Sequence, residues 1–255
     1  MIIPVFNCEK TINSSILSIQ RQNLSDIEII LVNDYSQDNS LNILEDLKKI
    51  DNRIKLINNK QNHGTLYSRS IGALSAKGTY ILSLDNDDEF FGKDSFDYIY
   101  NQAVEGNYDI VCFKRISVRN KNLIKLIQKR INFHNHKSLI IHQPELSIYP
   151  ISKNGKFFEN SFFIWDKCIK TDIYKQAVNL LGNDINTHQI SYNEDIIIVF
   201  IIFSISKTMK IINKYAIIHY IYQTSTSRTR NQDYKIYCDI YFLDIRHPRP
   251  DQARP

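Results

Sequence analysis

Lys77-Gly78-Thr79-Tyr80-Ile81-Leu82-Ser83-Leu84-Asp85-Asn86-Asp87-Asp88-Glu89 carries an apolar run straight into a dense acidic knot. The run from Thr79 to Leu84 reads as a buried strand, so the carboxylates fall where the carboxyl edge of a sheet opens to solvent. Residues two apart on a strand point the same way, which predicts that Asp85 and Asp87 face one partner together. Like charges that close repel, and a divalent cation relieves them. Hard oxygen ligands suit Mg²⁺ or Mn²⁺, which bind through one or two carboxylates together with substrate phosphates. The first expectation is a metal and phosphate site, weighed against an ordinary solvated acidic loop.

Other phosphate and metal schemes are excluded. Neither glycine-rich phosphate fingerprint occurs, and the whole chain holds only 7 Gly, which argues against a glycine cradle. An EF-hand loop counted from Asp85 would need Gly where Phe90 stands. Cys8, Cys112, Cys168 and Cys238 are scattered without the pairing that a zinc site or disulfide framework requires.

A chain of 255 residues with 43% hydrophobic content can bury a substantial core, in one domain or two tightly joined halves. The longest strongly apolar run, Ile196 to Ile205, is about half of what a membrane-spanning helix needs, so none is expected. The amino terminus lacks the basic head and apolar body of a signal peptide, which makes a reducing, cytoplasmic setting the expectation. A net charge of +5 fits an anionic substrate or surface without indicating nucleic acid. Met1-Ile2-Ile3-Pro4-Val5-Phe6-Asn7 is already inside an apolar strand, so further residues are expected upstream. Arg246 to Pro255 holds half of the 6 Pro and breaks with the composition before it. It is set aside from fold reasoning as foreign to the body.

Between these ends the pattern alternates. Ile2 to Val5 reads as a strand, and Glu9 through Gln22 places Ile12, Ile16, Leu17 and Ile19 on one helical face. A strand from Ile27 to Asn33, a polar turn and a helix from Leu41 to Ile50 follow. A strand from Ile54 to Ile57 and a helix from Ser68 to Ala76 lead into the strand before the aspartates. Such alternation predicts an α/β fold, a mostly parallel mixed sheet covered by helices, with ligands beyond the strands' carboxyl ends. Asp34 and Asp85 both lie at such ends, which implies a nucleotide crevice.

The blocks Ile2-Ile3-Pro4-Val5-Phe6-Asn7, Ile30-Leu31-Val32-Asn33-Asp34-Tyr35-Ser36-Gln37-Asp38-Asn39-Ser40, Asn62-His63-Gly64 with Ser68-Arg69-Ser70-Ile71-Gly72, and Asp85-Asn86-Asp87-Asp88 resemble the family-two glycosyltransferases of the Rossmann-like GT-A fold. Looser similarity continues through Trp165-Asp166-Lys167-Cys168-Ile169 and Asn193-Glu194-Asp195 to Tyr220-Ile221-Tyr222. The resemblance implies transfer of a sugar from a nucleotide diphosphate donor, a UDP-sugar by expectation, to an acceptor hydroxyl with inversion. It implies that Pro4, Val5 and Asn7 line the nucleobase and ribose pocket, with Asp34 accepting a hydrogen bond from the base. Arg69 would lie near the diphosphate, and Asp85, Asn86 and Asp87 would form the donor and metal motif, Asp87 being the direct ligand to Mn²⁺ or Mg²⁺. A metal with an arginine would neutralise the charge of a departing diphosphate. Two positions depart from the family, Tyr35 where Gly is common and Ser70 where Asn is, which points to a reshaped nucleobase loop.

Each assignment has a structural alternative. Asp34 is also of a residue type that caps a helix start, as are Asp38 and Ser40. Trp165 is an acceptor-site wall or core, and His219 is a third metal ligand or a core histidine. The resemblance implies that Glu194 and Asp195 are the acidic pair at the acceptor, with Asp195 as base, a role a nearby carboxylate can fill. Ser191 and Glu194 also read as a capping box, which leaves Glu194 structural.

The stretch from Ile110 to Pro144 has basic residues and no acidic one. Lys125 and Lys129 interleave with Leu123, Ile124, Leu126, Ile127 and Ile131, an amphipathic basic helix. It is read either as solvated or as a peripheral attachment to anionic membrane where a lipid-linked acceptor is presented. The chain is thus expected to hold a nucleotide-sugar half over 1–118, an acceptor half over 119–233 sharing one continuous sheet with it, and an extension over 234–255. The acceptor is expected to be a glycan, protein or lipid-linked hydroxyl, the transferase of hexosyl or N-acetylhexosaminyl type. The rival functions are a non-catalytic nucleotide-sugar-binding relative and a metal-dependent phosphohydrolase.

Overall fold

A computed structural model describes residues 1–119, 138–143, 163–182 and 194–221. Residues Met1–Tyr220 form one compact unit. Strands β1 (Ile2–Val5), β2 (Ile29–Asn33) and β3 (Ile54–Asn58) make a parallel sheet in that order. Every residue of β1 and β2 is buried, which is why both read as unbroken apolar runs rather than alternating ones. Helices α1 (Ile12–Gln20), α2 (Ser40–Ile50) and α3 (Thr65–Ser75) connect and cover these strands.

Strand β4 (Tyr80–Leu82) lies beside β1 through a parallel bridge between Ile2 and Ser83 and a bond from Leu84 N to Ile2 O of 3.1 Å. From β4 a second sheet continues through β8 (Lys167–Lys170), β6 (Ile110–Val118), β9 (Thr208–Tyr220) and β5 (Glu89–Phe90), with β7 (Leu139–His142) also on β9. Only β6 and β9 pair in parallel there, so the whole is mixed, parallel at the amino-terminal side and largely antiparallel beyond β4. Helices α4 (Ser95–Glu105), α5 (Thr171–Leu181) and α6 (Glu194–Ile205) complete the described elements. No helix among the described residues is long and apolar enough to cross a membrane.

Two sequence expectations change. The strand ahead of the acidic knot stops at Leu82, and Asp85 to Asp88 is a turn closed by Asp88 N donating to Asp85 O at 3.1 Å. Asp and Asn favour turns through their short polar side chains, so the carboxylates do not gather by strand alternation. On α1, Leu17 is exposed while Ser15 and Ser18 are buried. Ser15 Oγ donates to Asn86 O at 2.9 Å and Ser18 Oγ accepts from Phe90 N at 2.9 Å. Small hydroxyls therefore face the acidic turn and β5, and hold both in place.

Helix α3 approaches β1 closely because of Gly72. A Cβ there would stand 2.7 Å from Ile2 Cγ2, inside any tolerable contact, so the helix could not sit at this depth with another residue. The basic helix over 123–131, Ser191, Asn193, Tyr222, the boundary at 233 and the tail lie outside the described residues.

Candidate active site

The loops that leave β1 and β2 are laced together. Asn7 N donates to Ser36 Oγ at 3.1 Å and Gln37 N to Asn7 Oδ1 at 2.8 Å. Asp38 accepts from Glu9 N and Ser40 N, and Glu9 Oε2 accepts from Asn39 N. Asp38, not Asp34, is thus the carboxylate at the start of α2. Asn7 and Tyr35 adopt left-handed conformations, φ 48° and 62°, which cost a non-glycine residue about 1 kcal/mol or more. Pro4 and Val5 are buried in β1, so the side chains reaching this edge are Asn7 and the half-exposed Phe6 and Tyr35. The sequence reading gave Phe6 no role; its place directly after a buried strand was the available signal.

Asp34 is 3% exposed. Its oxygens accept from His63 N at 2.9 Å, Gly64 N at 2.7 Å and Asn59 Nδ2 at 2.8 Å. These bonds pin the loop ahead of α3 to the end of β2, so Asp34 anchors a neighbouring loop.

The acidic turn is held from three sides. Asn86 Nδ2 donates to Pro4 O at 3.1 Å, Ser15 binds the Asn86 carbonyl, and Asp88 accepts from Tyr220 N at 2.9 Å. Asp88 is buried, and its second oxygen meets His219 Nδ1 at 3.1 Å. Burial pulls the imidazole pKa down, but the bond and charge of Asp88 outweigh it, and the net shift is upward. Asp87 receives no side-chain hydrogen bond from the described residues. Burial, then the charges of Asp88 and Asp85, push its carboxyl up to about 7.

Arg69, on α3, is 4% exposed. Its Nη2 donates to Asp85 Oδ1 at 2.5 Å and its Nη1 to Asp195 Oδ1. Asp195 is the second residue of α6, where the helix dipole favours an anion, and its other oxygen accepts from Ile164 N at 3.3 Å. The structure therefore brings Asp85 and Asp195 onto one guanidinium from opposite parts of the sequence. The backbone of Glu194 opens α6.

Trp165 takes the core place of the two expected for it. It is 3% exposed, with His219 stacked at 5.3 Å, Phe163 at 4.9 Å and the Arg115 guanidinium 5.0 Å from its ring centre. A ring enclosed in this way offers no face to a sugar; it supports His219. Beside it Lys167 is buried, donating to Asp166 and to the Phe163 carbonyl, an arrangement that fixes the segment carrying Trp165. Arg115 and Asp88 were not assigned from the sequence, since their partners are far away in the chain.

Asp85 and Asp195 meet on Arg69, while Asp87 and Asp88 lie within electrostatic reach of Asp85, with His219 acting on both and Arg115 on Asp88. A diphosphate reaching this edge would add negative charge to a site already crowded with carboxylates. Among the described residues no group of three His, Cys, Asp or Glu side chains is arranged to hold an ion alone. Asp87 and its neighbour Asp85 are oxygen donors of the type a hard divalent cation accepts one or two of when phosphate oxygens supply the rest. His219 commits Nδ1 to Asp88, leaving only Nε2 for such a role. A cavity of about 520 Å³ lies elsewhere, lined by Glu28, Lys77, Tyr80 and Phe96 where β2 and β4 begin, and contains none of these residues.

The profile of Glycosyl transferase family 2 matches residues 1–169. An uncharacterized glycosyltransferase, EpsJ of Bacillus subtilis, is 42% identical over 111 residues, 44% of this chain and 32% of its own length. The cholesterol galactosyltransferase of Borreliella burgdorferi is 30% identical over 222 residues, 84% of this chain and 58% of its own length. The chain thus spans between about a third and six tenths of these relatives. Among solved structures, S. aureus TarS 1-349 in complex with UDP-GlcNAc superposes with a TM-score of 0.71 at 16% identity, over 96% of this chain and 65% of that one. This likeness shows the fold, the GT-A arrangement of a mixed sheet flanked by helices.

Proposed function

The chain belongs to glycosyl transferase family 2, and from that membership we propose that it moves a sugar from a UDP-sugar to an acceptor hydroxyl with inversion at the anomeric carbon. The observation that carries this reading is the meeting of Asp85 and Asp195 on Arg69, with Asp87 two residues on in the same acidic turn. Donor motif and acceptor base then face the same space at the carboxyl edge of the sheet.

In this reading Asp87 and Asp85 would hold Mg²⁺ or Mn²⁺ together with the donor diphosphate. A cation bound there would supply positive charge against the negative charge developing on the leaving diphosphate. Asn7 and the loop after β2 border the nucleoside, and Asp34 keeps that border rigid. Asp195 removes the proton from the acceptor hydroxyl as the oxygen attacks the anomeric carbon and the bond to the diphosphate breaks. Its anion is stabilised by Arg69 and the start of α6, so it is a weak base that takes the proton late. Lipid or glycan hydroxyls are the acceptor class, the relative from Borreliella being named for a sterol acceptor, and the donor sugar is a hexose or N-acetylhexosamine. Peripheral attachment to an anionic membrane through the basic segment would present a lipid acceptor.

A panel of nucleotide sugars, tested by thermal stabilisation with and without Mn²⁺ and then for donor hydrolysis and transfer, tests the proposal. Stabilisation by UDP-sugars with slow UDP release is expected. Binding without release would identify a non-catalytic relative. Phosphate release from simple phosphomonoesters would identify a phosphohydrolase.

A further inference from the structure

Arg69 is expected from the family resemblance to lie against the donor diphosphate, yet both of its terminal nitrogens are engaged by protein carboxylates. We infer that Arg69 is a positioning residue that ties the acceptor base Asp195 to the donor motif at Asp85, rather than a ligand of the diphosphate. The inference rests on the reading of Asp195 given above.

The geometry is that of a strut. A guanidinium is planar, with its donors in a fixed fork, so two carboxylates bound to its two arms have their separation and angle set by one rigid group. Asp195 is held a second time by Ile164 N at 3.3 Å, which fixes the carboxylate as well as its distance. The strut stands on a packed base: α3 sits on β1 at Gly72 and also against α5 and α6. The base lies 126 residues from Arg69 in sequence, so no local element could set its register against the acidic turn. With proton abstraction and donor activation on separate elements, catalysis depends on their relative placement, and a displacement of about 1 Å can cost about a hundredfold in rate.

Arg69→Lys, Arg69→Gln and Arg69→Ala test this, with thermal midpoints to confirm folding. Lysine keeps the charge but not the fork. For a strut, calorimetry of Arg69→Lys and Arg69→Gln with uridine, UMP and UDP in Mn²⁺ gives affinities within about threefold of wild type, while kcat for donor turnover falls about a hundredfold. Added guanidinium ion restores part of the kcat of Arg69→Ala. A tenfold or greater loss of UDP affinity with uridine binding unchanged overturns the inference and makes Arg69 a diphosphate ligand. Equal loss of uridine, UMP and UDP binding together with a lowered midpoint also overturns it, as general structural support. The two readings separate on Asp195→Asn: near-normal turnover in that variant removes the base assignment, whatever Arg69 does. Wild-type protein that binds no nucleoside diphosphate overturns both.

Discussion

Asp34 and Asp87 follow strands β2 and β4 at the same edge of the sheet, yet their surroundings treat them in opposite ways. Asp34 is buried and receives two backbone amides and a side-chain amide from the loop ahead of α3. Asp87 sits among carboxylates, receives no side-chain donor from the described residues, and is pushed up to about 7. A buried carboxylate whose lone pairs are filled by the protein stabilises the protein. One left beside like charges at a mouth destabilises it unless a ligand supplies what the chain withholds. The two loops thus differ in kind: the first is closed by its own hydrogen bonds, and the second keeps a carboxylate without a side-chain donor from the described residues, which the proposed function assigns to cation and phosphate.

The largest expected effect lies beyond both loops. Asp195→Asn should lower kcat by about 10² to 10⁴, the range that general base catalysis contributes, while UDP affinity measured by calorimetry stays close to wild type. Near-normal turnover in that variant with loss in Glu194→Gln would exchange the two roles.

The comparison itself is broken or kept by stability. Asp34→Asn replaces a charged acceptor of two amides, and should cost about 2 kcal/mol in urea unfolding. Asp87→Asn removes a charge that burial and two neighbours oppose, and should leave stability unchanged or raise it by about 1 kcal/mol. Shifts of the same sign in the two variants would end the division drawn above. The smallest effect concerns the basic segment. Reversing Lys125 and Lys129 to Glu should weaken sedimentation with anionic vesicles by a few fold at low salt, each charge near the surface contributing about 1 kcal/mol at most, with donor binding untouched. Wild-type protein that ignores such vesicles at low salt discards the membrane role.

The sequence exposed what local pattern can carry. Strand β1 and the helix after it, β2, and the placement of an acidic knot after β4 follow from runs and periods within single elements. The antiparallel ladders of the second sheet pair strands far apart in the chain, and β8 joins β4 to β6 without any local signal. Site residues divide in the same way. Asp85, Asp87 and Asp195 were visible as residue types in family-like blocks, but the Arg69 bridge joins three separate segments. The burial of Ser15 and Ser18 was invisible to a hydrophobic pattern, because their task is to bind the backbone of the acidic turn and of β5. Trp165 misled for a related reason: its type suits a sugar face, and only its neighbours reveal that the face is covered.

The central claim is that the turn after β4 receives a nucleoside diphosphate through a divalent cation held at Asp87. Calorimetric titration of wild type and Asp87→Asn with UDP, in Mn²⁺ and again in excess chelator, tests it most directly. The account predicts wild-type binding that weakens at least tenfold in chelator, and an Asp87→Asn variant that binds weakly in both conditions while keeping its affinity for uridine. Equal UDP affinity in wild type and variant, with no response to chelator, would contradict it.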